Sequence, residues 1–343
     1  MVRKIFALLL FLFCPLVFAA NTQILNVYNW ASFMPPDVLT KFQKATGIRV
    51  NYLEYDSDET LYAKLKADPN SGFDVIVPTN YYVQRMWQEG MLQPLDKSKI
   101  PNLKYINPVL LNKEYDPSNR YSVPYMWGTT GIVVNTLYHD PSKITHWSDL
   151  WDPQYKNQLL MLDDMREVFG VALMDLGYSY NEKNPEHIKQ AYQRLRELLP
   201  NIKLFNSDAE INIYIDEDAS MGIGWNGDIH LVQEENPNVQ FIYPQGHFPL
   251  WIDCAAIPKN APHYQNALTF INFISQPQIA KEIAIYNGYT SPNLAAVKLM
   301  PKSWQENTVL NPPKSVLARA EVEADVGPAD AVYEKYWQLL KLG

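Results

Sequence analysis

Residues 24–55 read ILNVYNWASFMPPDVLTKFQKATGIRVNYLEY, and this stretch decides the fold class. Two runs rich in β-branched and aromatic residues, 24–28 and 48–53, are typical of short strands. Between them, Pro35 and Pro36 open a segment that Gly47 closes, as expected for the start and the end of a helix. The stretch therefore predicts a strand–helix–strand unit of the α/β class.

The alternation of strand and helix patterns continues along the chain. Further strands are predicted at 73–77, 158–162, 220–225, 239–243 and 251–257, and further helices at 57–66, 81–89, 164–176, 187–199, 264–274, 278–286 and 326–342. Such alternation predicts mostly parallel sheets with helices on both faces. A length of 343 residues favours two domains, and no Gly/Ser-rich linker separates them. We therefore expect two lobes joined by crossing strands, near 129–134 and 251–256.

The N-terminus has the pattern of a secretory signal peptide. Arg3 and Lys4 precede an apolar run at 5–18, and the VFA triplet that ends at Ala19 is a small-x-small cleavage signal. The run is shorter than the roughly 20 residues that a membrane-spanning helix needs. Residues 1–19 are therefore predicted to be removed, so that an exported mature chain begins near position 20.

Composition argues against several classes of function. The formal net charge of −8 argues against nucleic acid as a partner. The sequence contains no glycine-rich phosphate loop, dinucleotide fingerprint or nucleophile elbow, and its six histidines lack metal-ligand spacing. Only Cys254 remains once Cys14 leaves with the signal peptide, so no intramolecular disulfide is expected. We predict a monomeric protein without catalytic activity, cofactor or metal, whose nine Trp and 22 Tyr suit a sugar or cation site.

Aromatic and acidic residues follow several predicted strands, which is where open α/β sheets bind their ligands. Carboxylates form charge-assisted hydrogen bonds with ammonium groups, and aromatic faces attract cations. Alternate strand residues share a face, so residues 251 and 253 should point the same way. For some of these residues a purely structural role stays open as the alternative to ligand binding. Trp30 could belong to the core, Thr79 and Asp164 could cap helices, and Trp251 could be buried. The candidates are Trp30, Thr79, Tyr81, Asp164, Glu167, Trp225, Trp251 and Asp253.

Ten short segments, in a fixed order, carry a family resemblance. They are YNW at 28–30, ETLYAKLK at 59–66, VPTNYYV at 77–83, VPYMWG at 123–128, WSDLWDPQYK at 147–156, DDMREVF at 163–169, GWNGD at 224–228, WID at 251–253, GYTSPNLAA at 288–296 and DVG at 325–327. With these segments the chain closely resembles the periplasmic spermidine/putrescine-binding proteins of polyamine ABC importers. The resemblance covers essentially the whole mature chain.

The resemblance implies a fold and a set of ligand contacts. The implied fold is a two-lobed periplasmic binding protein, a type II clamshell, with one lobe at 20–130 plus 252–297 and the other at 131–251 plus 298–343. A ligand between the lobes would favour the closed state through contacts with both. The implied ligand box consists of Trp30, Thr79, Tyr81, Asp164, Glu167, Trp225, Trp251, Asp253 and Tyr289.

The sequence departs from the family at two places in this site. After the Asn-Trp pair, members that bind spermidine carry a hydroxyl residue, an acid and a tyrosine, whereas Ala31, Ser32 and Phe33 stand here. Near the C-terminus, Glu323 stands where a glutamine is common. Ser32 and Glu323 therefore join the candidate ligand-binding residues. Because the acid is missing at position 32, we expect weaker discrimination between spermidine and putrescine, or a preference for putrescine.

The residues and the resemblance together predict a periplasmic solute-binding protein. It would capture a polyamine and deliver it to the permease and ATPase subunits of an ABC importer. Three alternatives stay open. The chain could be a polyamine sensor subunit for a membrane receptor, a binding protein for another cation or a sugar, or a hydrolase that uses Asp164 and Glu167 as acid and base.

Overall fold

The computed structural model describes residues 23–342. The predicted signal peptide at 1–19 lies outside the described residues, as do its cleavage site and Cys14. Cys254 is buried and carries a free thiol. From residue 23 to residue 342, no helix combines the length and the apolar character that crossing a membrane requires.

Ten strands form one mixed sheet in this part of the chain. Pairing is parallel between the first and second, first and third, fifth and sixth, and fifth and seventh strands, while the long fourth strand pairs antiparallel with its neighbours. The strands are β1 (Ile24–Trp30), β2 (Arg49–Tyr55), β3 (Val75–Ile76), β4 (Ser122–Asn135), β5 (Leu159–Met161), β6 (Ile202–Phe205), β7 (Met221–Trp225), β8 (Val239–Ile242), β9 (Phe248–Ala256) and β10 (Ala320–Val322).

Thirteen α-helices connect and cover the strands within the described residues. The first of them has Pro36 at its start, and Gly47 ends it in the left-handed conformation with φ 73°, as the sequence predicts. The helices are α1 (Pro36–Thr46), α2 (Asp58–Ala67), α3 (Asn80–Gln88), α4 (Met165–Asp175), α5 (Pro185–Leu198), α6 (Glu210–Ile215), α7 (Asn226–Glu235), α8 (Tyr264–Ile274), α9 (Pro277–Asn287), α10 (Leu294–Val297), α11 (Lys302–Glu306), α12 (Lys314–Leu317) and α13 (Asp330–Lys341).

Two differences from the predicted elements have clear causes in the backbone. The last helix begins at Asp330 and not at 326, because Gly327 has a positive φ of 58° and opens a short 3₁₀ turn. Strand β4 has 14 residues, all of them buried, whereas the sequence indicated only a crossing near 129–134. A strand that is buried on both faces lacks the polar alternation that would mark its length.

Two central strands join the halves of the sheet, whose order is β2–β1–β3–β9–β4–β7–β5–β6. Strand β9 pairs with β4 along 122–129, and β4 continues beside β7 along 130–134. The half that contains β1 to β3 and the half that contains β5 to β7 are therefore linked through β4 and β9. The residue boundaries of the two lobes stay a prediction.

Apolar side chains pack against both faces of each half. In β1, Leu25 and Val27 face a core shared with α1 and α8, while Tyr28 faces a core shared with α2 and α3. In β4, Val134 packs with α4, α5 and α13, and its neighbour Val133 packs with α6 and α7. Because helices cover both faces of the sheet, the loops at the strand ends are the part of each half that remains open to a ligand.

Candidate functional site

A cavity of about 700 Å³ lies between the two halves, and residues of both halves line it. Ser32 is the one residue of the predicted ligand site that does not contribute to this lining. The ten predicted residues that do are Trp30, Thr79, Tyr81, Asp164, Glu167, Trp225, Trp251, Asp253, Tyr289 and Glu323.

Most of these side chains stand at a strand end or in a first helical turn. Trp30 ends β1, Trp225 ends β7, and Tyr81 lies in the first turn of α3. Trp251 and Asp253 lie two positions apart in β9 and both line the cavity, so the strand presents them on one face, as predicted. The placement of Trp30, Trp225 and Tyr81 follows the rule that open α/β sheets bind ligands beyond their strand ends, whereas Trp251 and Asp253 lie within the linking strand β9.

The Asp253 carboxylate is buried beside a second acid, Asp58. The Thr79 hydroxyl donates to Asp253 Oδ1 at 3.1 Å, and the Thr79 backbone N–H donates to Asp58 Oδ2 at 3.2 Å. Burial raises the pKa of Asp253 to about 8, although the hydrogen bond from Thr79 opposes the rise. Burial also raises the pKa of Asp58 well above its usual value. A cation beside these groups would favour their charged forms.

Glu167 accepts two hydrogen bonds on one oxygen and none on the other. The Thr130 hydroxyl donates to Glu167 Oε1 at 2.7 Å, and the Trp225 indole N–H donates to the same oxygen at 2.9 Å. Oε2 is buried and has no hydrogen-bond partner among the described residues. Burial, followed by the charges of Glu323 and Asp164, raises the pKa of Glu167 well above its usual value. A buried acceptor of this kind is costly unless a ligand donor reaches it.

A further carboxylate, Asp228, lies against an aromatic wall of the cavity. It stands in the first turn of α7, and the Tyr289 hydroxyl donates to its Oδ1 at 2.9 Å. The Tyr289 ring lies edge-on to Trp251, with centroids 5.2 Å apart, and 6.5 Å from the Phe33 ring. The ring can take this position only because residue 227 is a glycine, since a Cβ at position 227 would lie 2.3 Å from the Tyr289 ring. Burial raises the pKa of Asp228 to about 7, against the effect of the Tyr289 hydrogen bond.

One arginine, Arg166, lies among the acids and contacts aromatic rings. Its guanidinium is 5.3 Å, 5.1 Å and 5.6 Å from the ring centroids of Tyr81, Tyr180 and Tyr333. The nearby Glu323 accepts the Tyr180 hydroxyl at 2.5 Å. Burial raises the pKa of Glu323 to about 7, while Arg166 and Tyr180 act in the opposite direction. Arg166 and Tyr180 therefore already stabilise the charged form of Glu323 in part.

Structural explanations also hold for some of these residues. Asp164 caps α4, because its Oδ1 accepts two backbone N–H groups at 2.8 and 3.0 Å. Thr79 stands at the cap position of α3, but its hydroxyl makes no bond to that helix. Trp30 packs against a core cluster, and its indole N–H donates to a backbone carbonyl at 2.9 Å. All three side chains nevertheless line the cavity.

The lining is strongly acidic, and Arg166 is the one Lys or Arg among the lining residues that the structure describes. Carboxylates separated by flat aromatic faces suit an elongated organic molecule with more than one positive charge. Within residues 23–342, no group of three or more His, Cys, Asp or Glu is arranged to hold a metal ion. Twelve acids line the cavity, namely Asp56, Asp58, Glu59, Asp163, Asp164, Glu167, Asp208, Asp228, Asp253, Glu323, Asp330 and Glu334.

Ser32 lies outside the cavity lining. It is exposed in a turn with a positive φ of 59°, and its backbone N–H donates to Glu54 Oε1 at 3.0 Å. Its neighbour Phe33 lines the cavity instead. Contact between Ser32 and a ligand stays a prediction.

Sequence reasoning missed more than half of the lining residues, and four of them stand close to the inner carboxylates or aromatic rings: Phe33, Asp58, Arg166 and Asp228. Arg166 and Asp228 directly follow predicted strands, so the criterion that selected their neighbours could have included them. Asp58 begins α2 and looked like an ordinary acidic residue of a first helical turn. Its place in the site depends on a long-range contact with Thr79, for which no local pattern exists.

Sequence comparisons identify relatives along nearly the whole chain. The family model described as bacterial extracellular solute-binding protein matches residues 37–312. A spermidine/putrescine-binding periplasmic protein of Salmonella typhimurium is 45% identical over 325 residues, which cover 95% of this chain and 93% of the relative. A putrescine-binding periplasmic protein of Escherichia coli is 32% identical over 345 residues, which cover 95% and 93%.

Solved structures show the same fold. A protein described as a spermidine/putrescine ABC transporter from Listeria monocytogenes matches with a TM-score of 0.88 at 35% identity, covering 93% of this chain and 99% of that chain. A spermidine/putrescine substrate-binding protein of Streptococcus pneumoniae matches with a TM-score of 0.82 at 36% identity and the same coverage. These matches confirm the predicted two-lobed fold of a periplasmic binding protein. The chain belongs to the family of bacterial extracellular solute-binding proteins.

Proposed function

We propose that this chain is a periplasmic solute-binding protein that captures a linear polyamine, spermidine or putrescine, and passes it to an ABC importer. The observation that carries the proposal is the carboxylate of Glu167, whose Oε1 is bound by Thr130 and Trp225 while its buried Oε2 has no partner in the described chain. An ammonium group supplies both the donor and the charge that this oxygen requires. The names of the relatives support the same class of ligand.

A polyamine is a flexible hydrocarbon chain with ammonium groups at its ends. The cavity offers it carboxylates at several points, on Asp228, Glu167 and Asp253. The indole rings of Trp225 and Trp251 provide flat apolar surfaces for the methylene groups and attract the cations, which contributes about 0.5 to 2 kcal/mol for each such contact. Two of these carboxylates suffice for putrescine, and spermidine can use all three.

In this proposal, Asp228 compensates for the acid that is missing at position 32. The Tyr289 hydroxyl that binds Asp228 belongs to the ring that lies 6.5 Å from Phe33. A carboxylate therefore lies near the part of the cavity that Phe33 lines, although residues 31–33 include no acid. Consequently the absence of an acid at Ser32 does not exclude spermidine, and both polyamines remain in the proposed class of ligand.

Cation binding accounts for the cavity better than the alternatives do. A neutral sugar offers no positive charge to the twelve acids of the lining. A hydrolase would need Asp164 and Glu167 free for a substrate, whereas Asp164 caps its own helix. The named relatives are binding proteins, which supports binding without catalysis. The sensor alternative shares the same binding site and differs only in the partner that receives the loaded protein.

The proposed transport role also includes how the ligand is enclosed and delivered. One lobe is proposed to comprise 20–130 plus 252–297, and the other 131–251 plus 298–343. The protein is proposed to be a monomer whose lobes close over the ligand. Strands β4 and β9 support this arrangement because they link the halves on either side of the cavity. The proposed partners are the permease subunits and their ATPase. Reconstituted transport tests this partner, because a sensor would bind polyamine without stimulating uptake.

Tryptophan fluorescence tests the proposed ligand, because Trp30, Trp225 and Trp251 all line the cavity. We expect spermidine and putrescine to change the emission in a saturable manner, and sugars to leave it unchanged. Glu167→Gln can keep the hydrogen bonds from its neighbours but loses the charge, so affinity should fall about 10- to 150-fold, as for loss of a charged hydrogen bond. The control Glu306→Gln removes a largely exposed acid outside the lining and should match the wild type. A saturable response to sugars alone would reject the proposal.

A further inference from the structure

The cavity extends beyond the inner carboxylates into an exposed outer part. Asp163 and Asp208 reach this part from the loops that follow β5 and β6. The last helix contributes one face to it, because residues spaced by three or four positions lie on the same side of a helix. The contributing residues of α13 are Asp330, Glu334, Trp337 and Gln338.

At the edge of this outer part, beside the lining residues Asp163 and Trp337, the chain holds one of its own ammonium groups. Lys341 Nζ lies 2.6 Å from Asp163 Oδ1, and 4.8 Å and 5.1 Å from the ring centroids of Phe205 and Trp337. The two rings stand nearly perpendicular, at 89°, with centroids 5.6 Å apart. The Asp163 backbone N–H donates to Ser207 Oγ at 2.9 Å, which holds the acid in place. We name the set Asp163, Phe205 and Trp337 the outer cage.

We propose that the outer cage is an additional ammonium subsite, which Lys341 occupies and from which a long polyamine displaces it. The cage has the chemistry of the inner site, one carboxylate with aromatic rings around it, and Lys341 carries the same kind of group as the end of a polyamine. This inference rests on the proposed function. It extends that function to linear tetraamines, whose extra aminopropyl arm can leave the inner site.

The balance of energies permits this displacement. The Lys341 and Asp163 side chains are 34% and 45% exposed, so their ion pair is weak, as partly solvated pairs generally are. An ammonium group that is already tethered through the inner carboxylates competes at a high effective concentration, in the millimolar range for short flexible connections. A diamine held by the inner carboxylates has no further ammonium group for the cage. The cage should therefore affect the affinity for tetraamines and leave the affinity for diamines unchanged.

Lys341→Met tests the subsite, because methionine keeps an apolar side chain over the rings and removes the competing ammonium group. Calorimetric titration of the mature protein should show spermine bound about threefold to tenfold more tightly by the variant, and putrescine changed by less than about twofold. Lys335→Met is the matched control. It removes the same charge from an exposed position of the same helix, 5.3 Å from the Tyr336 ring and outside the cavity lining, so both affinities should stay as in the wild type.

A second variant separates the cage from a general effect of charge. Asp163→Asn in the Lys341→Met background should abolish the gain for spermine while leaving putrescine binding as it was. Equal gains for both ligands, or no gain for spermine, would overturn the subsite. If the wild-type protein binds neither putrescine, spermidine nor spermine, the proposed function itself fails. If it binds them and Lys341→Met leaves their ratio unchanged, the outer cage alone fails.

Discussion

The Asp253→Asn substitution removes a charge from the cavity with little change in shape. Asparagine retains an oxygen that can accept the Thr79 hydroxyl, which donates to Asp253 at 3.1 Å in the native chain. A hydrogen bond to a charged group contributes about 1.5 to 3 kcal/mol, so we expect the affinity for spermidine at pH 8 to fall about 10- to 150-fold. Asp253 is only 4% exposed, so solvent cannot replace the lost contact.

The same substitution should also change how binding depends on pH. Burial raises the pKa of Asp253 to about 8, so the carboxyl group is mostly protonated at pH 6 and must lose its proton when an ammonium group binds. For a single group with that pKa, affinity falls about 50-fold between pH 8 and pH 6, and the asparagine variant lacks this part of the pH dependence. The gap between wild type and variant should therefore narrow as pH falls.

Isothermal titration calorimetry at pH 6, 7 and 8 measures both effects. The control Asp37→Asn changes an exposed acid in the first turn of α1 and should follow the wild type at each pH. Thermal unfolding of the ligand-free variants establishes that they are folded. If Asp253→Asn has the affinity and the pH dependence of the wild type, Asp253 does not contact the ligand and the reasoning is refuted.

Three further predictions follow from the geometry and charge of the cavity. In calorimetric titrations, Asp228→Asn should weaken binding of spermidine, which can use all three inner carboxylates, by about tenfold or more. Ser32→Glu should change the affinity ratio of spermidine and putrescine by less than about twofold, because Ser32 is exposed and outside the lining; a larger change would place residue 32 at the ligand. Burial raises the pKa values of Asp253 and Glu323 to about 8 and about 7, so their protonated forms favour the fold and this stability is lost as pH rises towards 8. In scanning calorimetry of the ligand-free protein, the melting temperature of Asp253→Asn/Glu323→Gln minus that of the wild type should therefore increase as pH rises from 5 to 8. A difference that stays constant over this range would contradict the assigned pKa shifts.

Local sequence signals predicted the elements that short-range physics controls. Ser57 accepts the Thr60 backbone N–H at 3.2 Å and begins α2 where the sequence places its start. Asp164 caps α4, and Gly47 ends α1 in the left-handed conformation. These positions are predictable because a cap or a positive φ depends on neighbouring residues only. Candidate site residues at strand ends could be predicted for the same reason, because the end of a strand is also marked by neighbouring residues.

Features that depend on distant parts of the chain could not be predicted in this way. Thr79 and Asp253 form a hydrogen bond across 174 positions of sequence, and no local pattern specifies that partner. The outward turn at Ser32 depends on Glu54 in the neighbouring strand, which accepts its backbone N–H. Asp228 lies at the site because Gly227 lets an aromatic ring from a remote loop pack against α7. The sequence thus indicated ten of the lining residues, but not which of their oxygens remain available.

The most direct test of the central claim compares two ligands of equal length with the wild-type protein. Putrescine and butane-1,4-diol share a four-carbon chain and differ only in ending with ammonium or hydroxyl groups. Because the lining presents twelve acids and a single arginine, we predict that calorimetric titration gives saturable one-to-one binding for putrescine and no saturable heat for the diol. Comparable binding of the diol, or absence of binding for putrescine and spermidine alike, would contradict the account.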